Sequence, residues 1–427
     1  MLLFRCVISL ACFTSFALSN ELRPRSGPIA PKEDPWYTAP PNFEDASPGT
    51  VLRIRKAPGN LTTIVSNSSA AYNILFRSTD ARYRPSWAVT TLFVPSKNVT
   101  IGNSTSSLLS LQIPYNSADL NASPSYALYY AFTQPSFGGP STTEDIAFML
   151  GNGWFVNVPD HEGPSASFGL GVQVGHATLD SVRASLNSGL IPAPDTAKYA
   201  MWGYSGGSIA SEFAAELQEQ YAPELSFLGA ALGGMVPNVT ECFDNITASN
   251  YAGLIPEGLL GITSQYPRAY EYLVSRLKTS GPYNATNFLD TFNRDIATAF
   301  VVFAGQDIYE YFVGGRSDVY APIIQDIFNR NSYQGYHGVP RFPVFVYKAI
   351  GDLLSPVKNT DELVDRWCGI GTQVWYQRNT VGGHTSEIVN GHDRALDWLK
   401  TVFDGTYDPP KNCLIENVAV NISTTPD

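Results

Sequence analysis

A chain of 427 residues with 15% charged side chains and 44% hydrophobic ones can bury a large core, and it is neither disordered nor a coiled coil. The length suits one large domain with an insertion better than three small domains. A net charge of −11, a pI near 5.0 and the lack of any basic cluster argue against nucleic acid as a partner.

The first 20 residues hold one Arg, an apolar run at 7–16 and a small-residue site at Ala17-Leu-Ser19. Residues 1–19 read as a signal peptide, because the run is too short to span a bilayer. Nine N-x-S/T sequons accord with export: Asn60, Asn67, Asn98, Asn103, Asn121, Asn238, Asn245, Asn284 and Asn421. A secreted glycoprotein is expected. Cleavage removes Cys6 and Cys12, leaving Cys242, Cys368 and Cys413, which allow at most one intrachain bridge. Cys368 and Cys413 both lie in the C-terminal part and are the expected pair. Their bridge closes a loop of about 46 residues, for which chain entropy gives about 4 kcal/mol. Cys242 then remains a free, buried and inert thiol.

Residues 20–50 are rich in proline and read as an extended arm over the surface. Strands are predicted at 50–55, 72–79 and 87–95, and a fully apolar one at 107–113. A helical pattern covers 143–151, a buried strand 153–160, and a Gly/Ser-rich loop opens with Asp160-His-Glu-Gly163. A second helix spans 173–186.

The stretch from Tyr199 reads as a short apolar strand, the turn Gly203-Tyr-Ser205-Gly-Gly207, and then a helix to about Tyr221. G-x-S-x-G between strand and helix is the nucleophile elbow of α/β-hydrolases. The serine needs a strained backbone to project its hydroxyl above the sheet, and the flanking glycines keep Cβ atoms out of the tight strand–helix contact. A strand at 227–235 follows. Residues 236–335 change character, with Pro, Asn, three sequons and short helical patterns at 258–264, 269–277, 287–302 and 323–329. They read as a cap inserted into a core made of 51–235 and 336–427. That core resumes with a buried strand at 341–349 ending at Gly351-Asp352. A helix through 363–368, a last strand at 373–377, Gly382-Gly-His384 and a closing helix started by Asp393 complete it.

A nucleophilic serine needs a base and a carboxylate to fix the base's tautomer. The histidines are His161, His176, His337, His384 and His392. The order Ser, acid, His leaves out the first two. His384 sits in a Gly-rich loop between strand and helix and is the expected base. His337 lies at the cap's exit, and His392 is expected to help cap the closing helix. Asp352 directly follows a buried strand and is the expected carboxylate. Asp361 and Asp365 fall deeper in the next helix and read as solvated. An oxyanion hole requires two backbone N–H groups, with Gly206 as one and Asp160, opening the loop after an earlier strand, as the other candidate. Metal-ligand spacing such as H-E-x-x-H is absent and nothing marks a carboxylate pair, so no metal is expected.

Asp34-Pro-Trp-Tyr, Asp160-His-Glu-Gly, Gly203-Tyr-Ser-Gly-Gly, Gly351-Asp and Gly383-His together resemble the fungal secretory lipases of the lipase A type. The resemblance covers essentially the whole mature chain. It implies an α/β-hydrolase core with a mostly parallel sheet and an inserted helical cap, and a triad Ser205, Asp352 and His384. It further implies oxyanion donors on the backbone of Asp160 and Gly206, a Cys368–Cys413 bridge and no cofactor. Two departures stand out. The family's second bridge is missing, since the segment around Asn121 has no Cys, and the sequence stops soon after Cys413 without the tail that forms a flap over the acyl tunnel.

The expected activity is secreted, lipase-type carboxylic-ester hydrolysis through an acyl-enzyme, on triacylglycerol or other acyl esters. The alternative is a soluble esterase for a bulky secondary-metabolite ester such as a sesquiterpenoid acetate. A catalytically silent hydrolase fold used for binding would show a lost triad residue, and none is lost. A monomer with transient lipid-interface contact is expected.

Overall fold

The computed structural model describes residues 27–96, 106–130 and 141–423. The leader and the sequons at Asn98 and Asn103 lie outside the described residues. Ten strands among the described residues form one sheet. They are β1 (Val51–Lys56), β2 (Ser68–Thr79), β3 (Pro85–Pro95), β4 (Ser107–Gln112), β5 (Phe155–Pro159), β6 (Lys198–Tyr204), β7 (Ala230–Gly233), β8 (Val344–Ala349), β9 (Val374–Asn379) and β10 (Cys413–Val418). Their spatial order is β1-β2-β3-β5-β4-β6-β7-β8-β9-β10. β4 to β10 run parallel, while β1, β2 and β3 form an antiparallel lead-in that joins through β5.

The central strands are apolar throughout because both faces of a parallel sheet are covered by helices. Period-two alternation assigns each residue to a face. Met201, Leu232, Val344 and Val346 pack toward one core, where the helices Gly171–Leu186, Gly206–Tyr221 and Val357–Ile370 lie. Trp202, Ala231, Phe345 and Tyr347 pack toward the other, with Met149 and Leu150 of the helix Thr142–Gly151 and Trp398 of the helix His384–Asp404. Residues 27–50 contain no strand. Asp34 caps the turn Pro35–Tyr37 and pairs with Arg55 at 2.8 Å, which pins this segment against β1.

Between β7 and β8 the chain leaves the sheet for seven α-helices, Val239–Ile246, Leu254–Thr263, Pro267–Arg276, Ala285–Leu289, Ile296–Phe303, Arg316–Val319 and Pro322–Asn331, and two short 3-10 turns. Phe243, Phe288, Phe303 and Phe328 of this segment join the first core. The expected single helix at 287–302 is broken. Arg294 is extended, and the Asp295 side chain accepts the Thr298 N–H to start a new helix.

The C-terminal region departs further from expectation. The last helix starts at His384, not Asp393, and runs for 21 residues. His392 is therefore interior to it and does not cap it. Its ring nitrogens contact Asp145 at 2.7 Å and Asp393 at 2.9 Å. The strand at 373–377 is not the last one either, because β10 adds in parallel to β9 at the sheet edge. Cys413, its first residue, is bonded to Cys368 with Cα atoms 5.8 Å apart, so the disulfide ties the edge strand to the helix Val357–Ile370. Cys242 is free and buried.

Candidate active site

β4 lies between β5 and β6, so the sheet order reverses there and the loops after β4 and β6 face each other at the C-terminal edge. Gln112 at the end of β4 pairs with Gly203 near the end of β6. After β6 the chain turns sharply through Ser205, which has φ 53° and ψ −121°, and enters the helix Gly206–Tyr221. A positive φ at a serine is strained, and two close approaches hold it. A Cβ on Gly203 would collide with the Gly207 carbonyl, and one on Gly207 with the Gln112 carbonyl.

Ser205 Oγ lies 2.8 Å from His384 Nε2, and His384 Nδ1 lies 2.7 Å from Asp352 Oδ2. With Nδ1–H donating to the carboxylate, Nε2 is left to accept the serine proton. His384 is the first residue of its helix, and Gly383 N–H donates to Ser386 Oγ at 2.9 Å. The Tyr204 hydroxyl donates to the His384 carbonyl at 2.5 Å, and its ring packs against the imidazole. Asp352 sits just beyond β8, with Oδ1 accepting Ser355 N–H at 2.9 Å. Burial opposes its ionisation, but the charges of His384 and Lys348, and hydrogen bonds from both, hold the carboxyl well below the usual range. Asp361 pairs with Arg378 at 3.3 Å and Asp365 is exposed.

The other histidines have structural partners. His161 Nε2 contacts the Ile113 carbonyl at 3.1 Å, and burial pulls its pKa down to about 4. His176 stacks on Tyr221 and burial lowers it to about 3. The His337 backbone N–H donates to Glu216 at 2.8 Å, securing the return from the helical segment.

Asp160 is not brought to Ser205. Its N–H donates to the Val89 carbonyl at 2.9 Å, and its carboxyl accepts from Ser125 N–H at 2.8 Å and Ser125 Oγ at 2.6 Å. Asp160 lines a different cavity, with Tyr37 and Trp87. Burial pushes its pKa up to about 7 against those two hydrogen bonds. The residue facing the elbow is Asn116, in the loop after β4. Asn116 lines both cavities that contain Ser205, and its side-chain Oδ1 lies against Gly206, buried and without a hydrogen-bond partner. Gly206 is the first residue of its helix, where an N–H has no intrahelical acceptor.

The Asp160-His-Glu-Gly loop acts one layer behind. His161 holds the Ile113 carbonyl, Glu162 N–H donates to the Tyr115 hydroxyl at 2.7 Å, and the Glu162 carboxyl accepts from Asn116 and Ser117 N–H groups. Glu257, from the helix Leu254–Thr263, accepts Ala118 N–H at 2.5 Å from the other side. Burial, foremost, pushes the Glu162 and Glu257 carboxyls well above the ordinary range. Asn116 was missed because a single Asn after a strand is an ordinary loop residue. Its only local signal is a left-handed φ of 47°, which Asn tolerates.

Two small cavities meet at Ser205. One, of about 30 Å³, is lined by apolar groups including Phe168, Ile209, Val239, Cys242, Phe243 and Leu354. The other, of about 40 Å³, includes His384, Tyr251, Ile296, Phe300 and Ile388. The largest cavity among those described, about 590 Å³, lies between β8–β10 and the C-terminal half of the last helix and is lined by none of Ser205, Asp352 and His384. No cluster of three His, Cys, Asp or Glu able to hold a metal ion occurs among the described residues.

The sequence pattern of the family described as Secretory lipase matches residues 141–409. The chain belongs to the secretory lipase family. Trichothecene C-3 esterase of Fusarium sporotrichioides is 45% identical over 99% of this chain and 95% of its own length. Lipase A of Arthroderma benhamiae is 36% identical over 89% of this chain and 81% of its own. Among solved structures, Candida antarctica lipase A in its closed state superposes with a TM-score of 0.80 at 25% identity, covering 94% and 92% of the two chains. This secretory lipase homologue has the α/β-hydrolase fold and is a carboxylic ester hydrolase of lipase type. No helix among its described residues is long and apolar enough to cross a membrane.

Proposed function

We propose that the chain hydrolyses esters through an acyl-enzyme on Ser205, with His384 as base and Asp352 as its carboxylate. The chain of contacts from Ser205 Oγ to His384 Nε2 at 2.8 Å and from His384 Nδ1 to Asp352 at 2.7 Å carries this reading. As Oγ attacks the carbonyl carbon, its proton passes to Nε2, and the imidazolium stays paired with Asp352. The oxyanion is met by Gly206 N–H and by Asn116 Nδ2–H, once rotation of the side-chain amide exchanges it with the Oδ1 that now lies against Gly206. Collapse expels the alcohol with the proton from Nε2. Water then repeats the sequence and releases the acid. Ser205→Ala should lose both fluorophosphonate labelling and p-nitrophenyl acetate hydrolysis; full activity in that variant would sink the assignment.

The acyl group is short and the alcohol bulky. The cavity beside Ser205, about 30 Å³, has no room for a long chain and so favours a short acyl group such as acetyl. The relative 45% identical over nearly the whole chain is named for a trichothecene C-3 ester, which supports a polycyclic secondary-metabolite alcohol of that class. Such an alcohol enters on the His384 side and displaces Tyr251, Ile296 and Phe300, so the helical segment between β7 and β8 serves as a movable cap. Kinship with Lipase A favours a second reading, long-chain acylglycerol hydrolysis at a lipid interface. A p-nitrophenyl series from acetate to palmitate, with and without emulsion, separates them; an optimum at palmitate refutes the short-acyl reading. Residues 1–19 serve as the leader. Asn60, Asn245 and Asn421, all exposed, carry glycans. Asn67 and Asn284 instead donate their side-chain amides to the carbonyls of Ala147 and Gly281.

A further inference from the structure

Lys348 is the penultimate residue of β8, in a strand buried along its whole length, and its side chain is 0% exposed. A buried lysine is costly unless paired, and an apolar side chain would fill the position without that cost. Its partners are specific. Nζ lies 2.7 Å from Asp352 Oδ2 and donates to the Met235 carbonyl at 2.8 Å. That Oδ2 is the same oxygen that accepts His384 Nδ1–H at 2.7 Å. Ser355 closes the network, its N–H on Asp352 Oδ1 at 2.9 Å and its hydroxyl on the Met235 carbonyl at 3.0 Å.

We propose that Lys348 is a positioning residue for the reaction, fixing Asp352 Oδ2 toward His384 and weakening, by sharing that oxygen, the carboxylate's hold on a protonated imidazole. The inference rests on the reading of Ser205, Asp352 and His384 as the triad. Two donors on one oxygen lie within about 5 Å of each other, a range at which like charges oppose each other's protonation by about one pH unit or more.

The other groups facing the cluster do not replace Lys348. Cys242, from the helix Val239–Ile246, has its thiol pushed up by burial and by Asp352. Glu387, one turn beyond His384, is occupied by Asn379 and Arg394. Tyr376 on β9 has its hydroxyl pushed far up, first by burial and then by Asp361. Tyr204 on β6 holds the His384 carbonyl.

The test compares the pH dependence of kcat and KM for p-nitrophenyl acetate in the full chain, Lys348→Met and Lys348→Gln, with Ser205→Ala and Asp352→Ala as controls. In Lys348→Met the acid limb of kcat/KM should move up by about one pH unit, and kcat should fall about tenfold with KM within about twofold. Lys348→Gln keeps a donor without charge, so it should keep more of kcat and show the same shift. An unmoved acid limb in folded variants, or failure of both variants to fold, overturns the proposal. Full activity in Asp352→Ala would instead overturn the triad reading, whatever the lysine variants do.

Discussion

Removing the Asn116 side chain tests the site where structure and sequence part company. With φ at 47°, alanine at this position would add backbone strain to the loss of the amide, so Asn116→Gly is the cleaner deletion. The backbone N–H directed at Glu162 survives in that variant, and Gly206 N–H remains as the second donor. Losing one of two oxyanion donors costs about 100- to 1000-fold in kcat, or about 2.7–4 kcal/mol of transition-state stabilisation. The substrate carbonyl carries little charge, so KM should change less than about threefold. Steady-state kinetics on p-nitrophenyl acetate reads this, with a thermal melt to show that the variant is folded. A folded Asn116→Gly enzyme with kcat within about threefold of the parent would refute the role of Asn116.

Three further outcomes follow from the geometry. Asp160 titrates near pH 7 when folded and near 3.9 when unfolded, so the native state holds the extra proton between them and stability falls as pH rises through that window. The loss amounts to up to about 4 kcal/mol. Asp160→Asn should flatten the difference in melting temperature between pH 4 and 7, and parallel curves would contradict this. Cys368→Ser with Cys413→Ser should lower stability by about 2–4 kcal/mol and release β10 first, read by hydrogen exchange at residues 413–418. Phe243→Ala should enlarge the acyl-side cavity and move the chain-length optimum upward, at a stability cost of about 3–5 kcal/mol; an unchanged optimum in a folded variant would show that Phe243 does not limit the acyl group.

Much of the site is legible in the chain because its constraints are local. The glycines flanking Ser205, the apolar strand before it and the helix after it are written within about 20 residues. Asp352 and His384 each follow a recognisable strand, so chain order alone pairs them with Ser205. Boundaries were less legible. Gly391 and His392 weaken the helical pattern, so the helix starting at His384 looked as if it began at Asp393. The edge strand Cys413–Val418 has a mixed pattern of exposure that resembles a tail.

What the residues carried by themselves is the family and the chain order of Ser205, Asp352 and His384 that an α/β-hydrolase requires. What only the tertiary structure decided is which groups surround them. Asn116 meets Gly206 because β4 lies beside β6, and Asp160 is kept away by its bonds to Val89 and Ser125. Lys348 meets Asp352 because the chain turns back after β8 and closes on Met235. An elbow is specified by neighbours in sequence, whereas an oxyanion donor and a buried counter-charge are specified by neighbours in space.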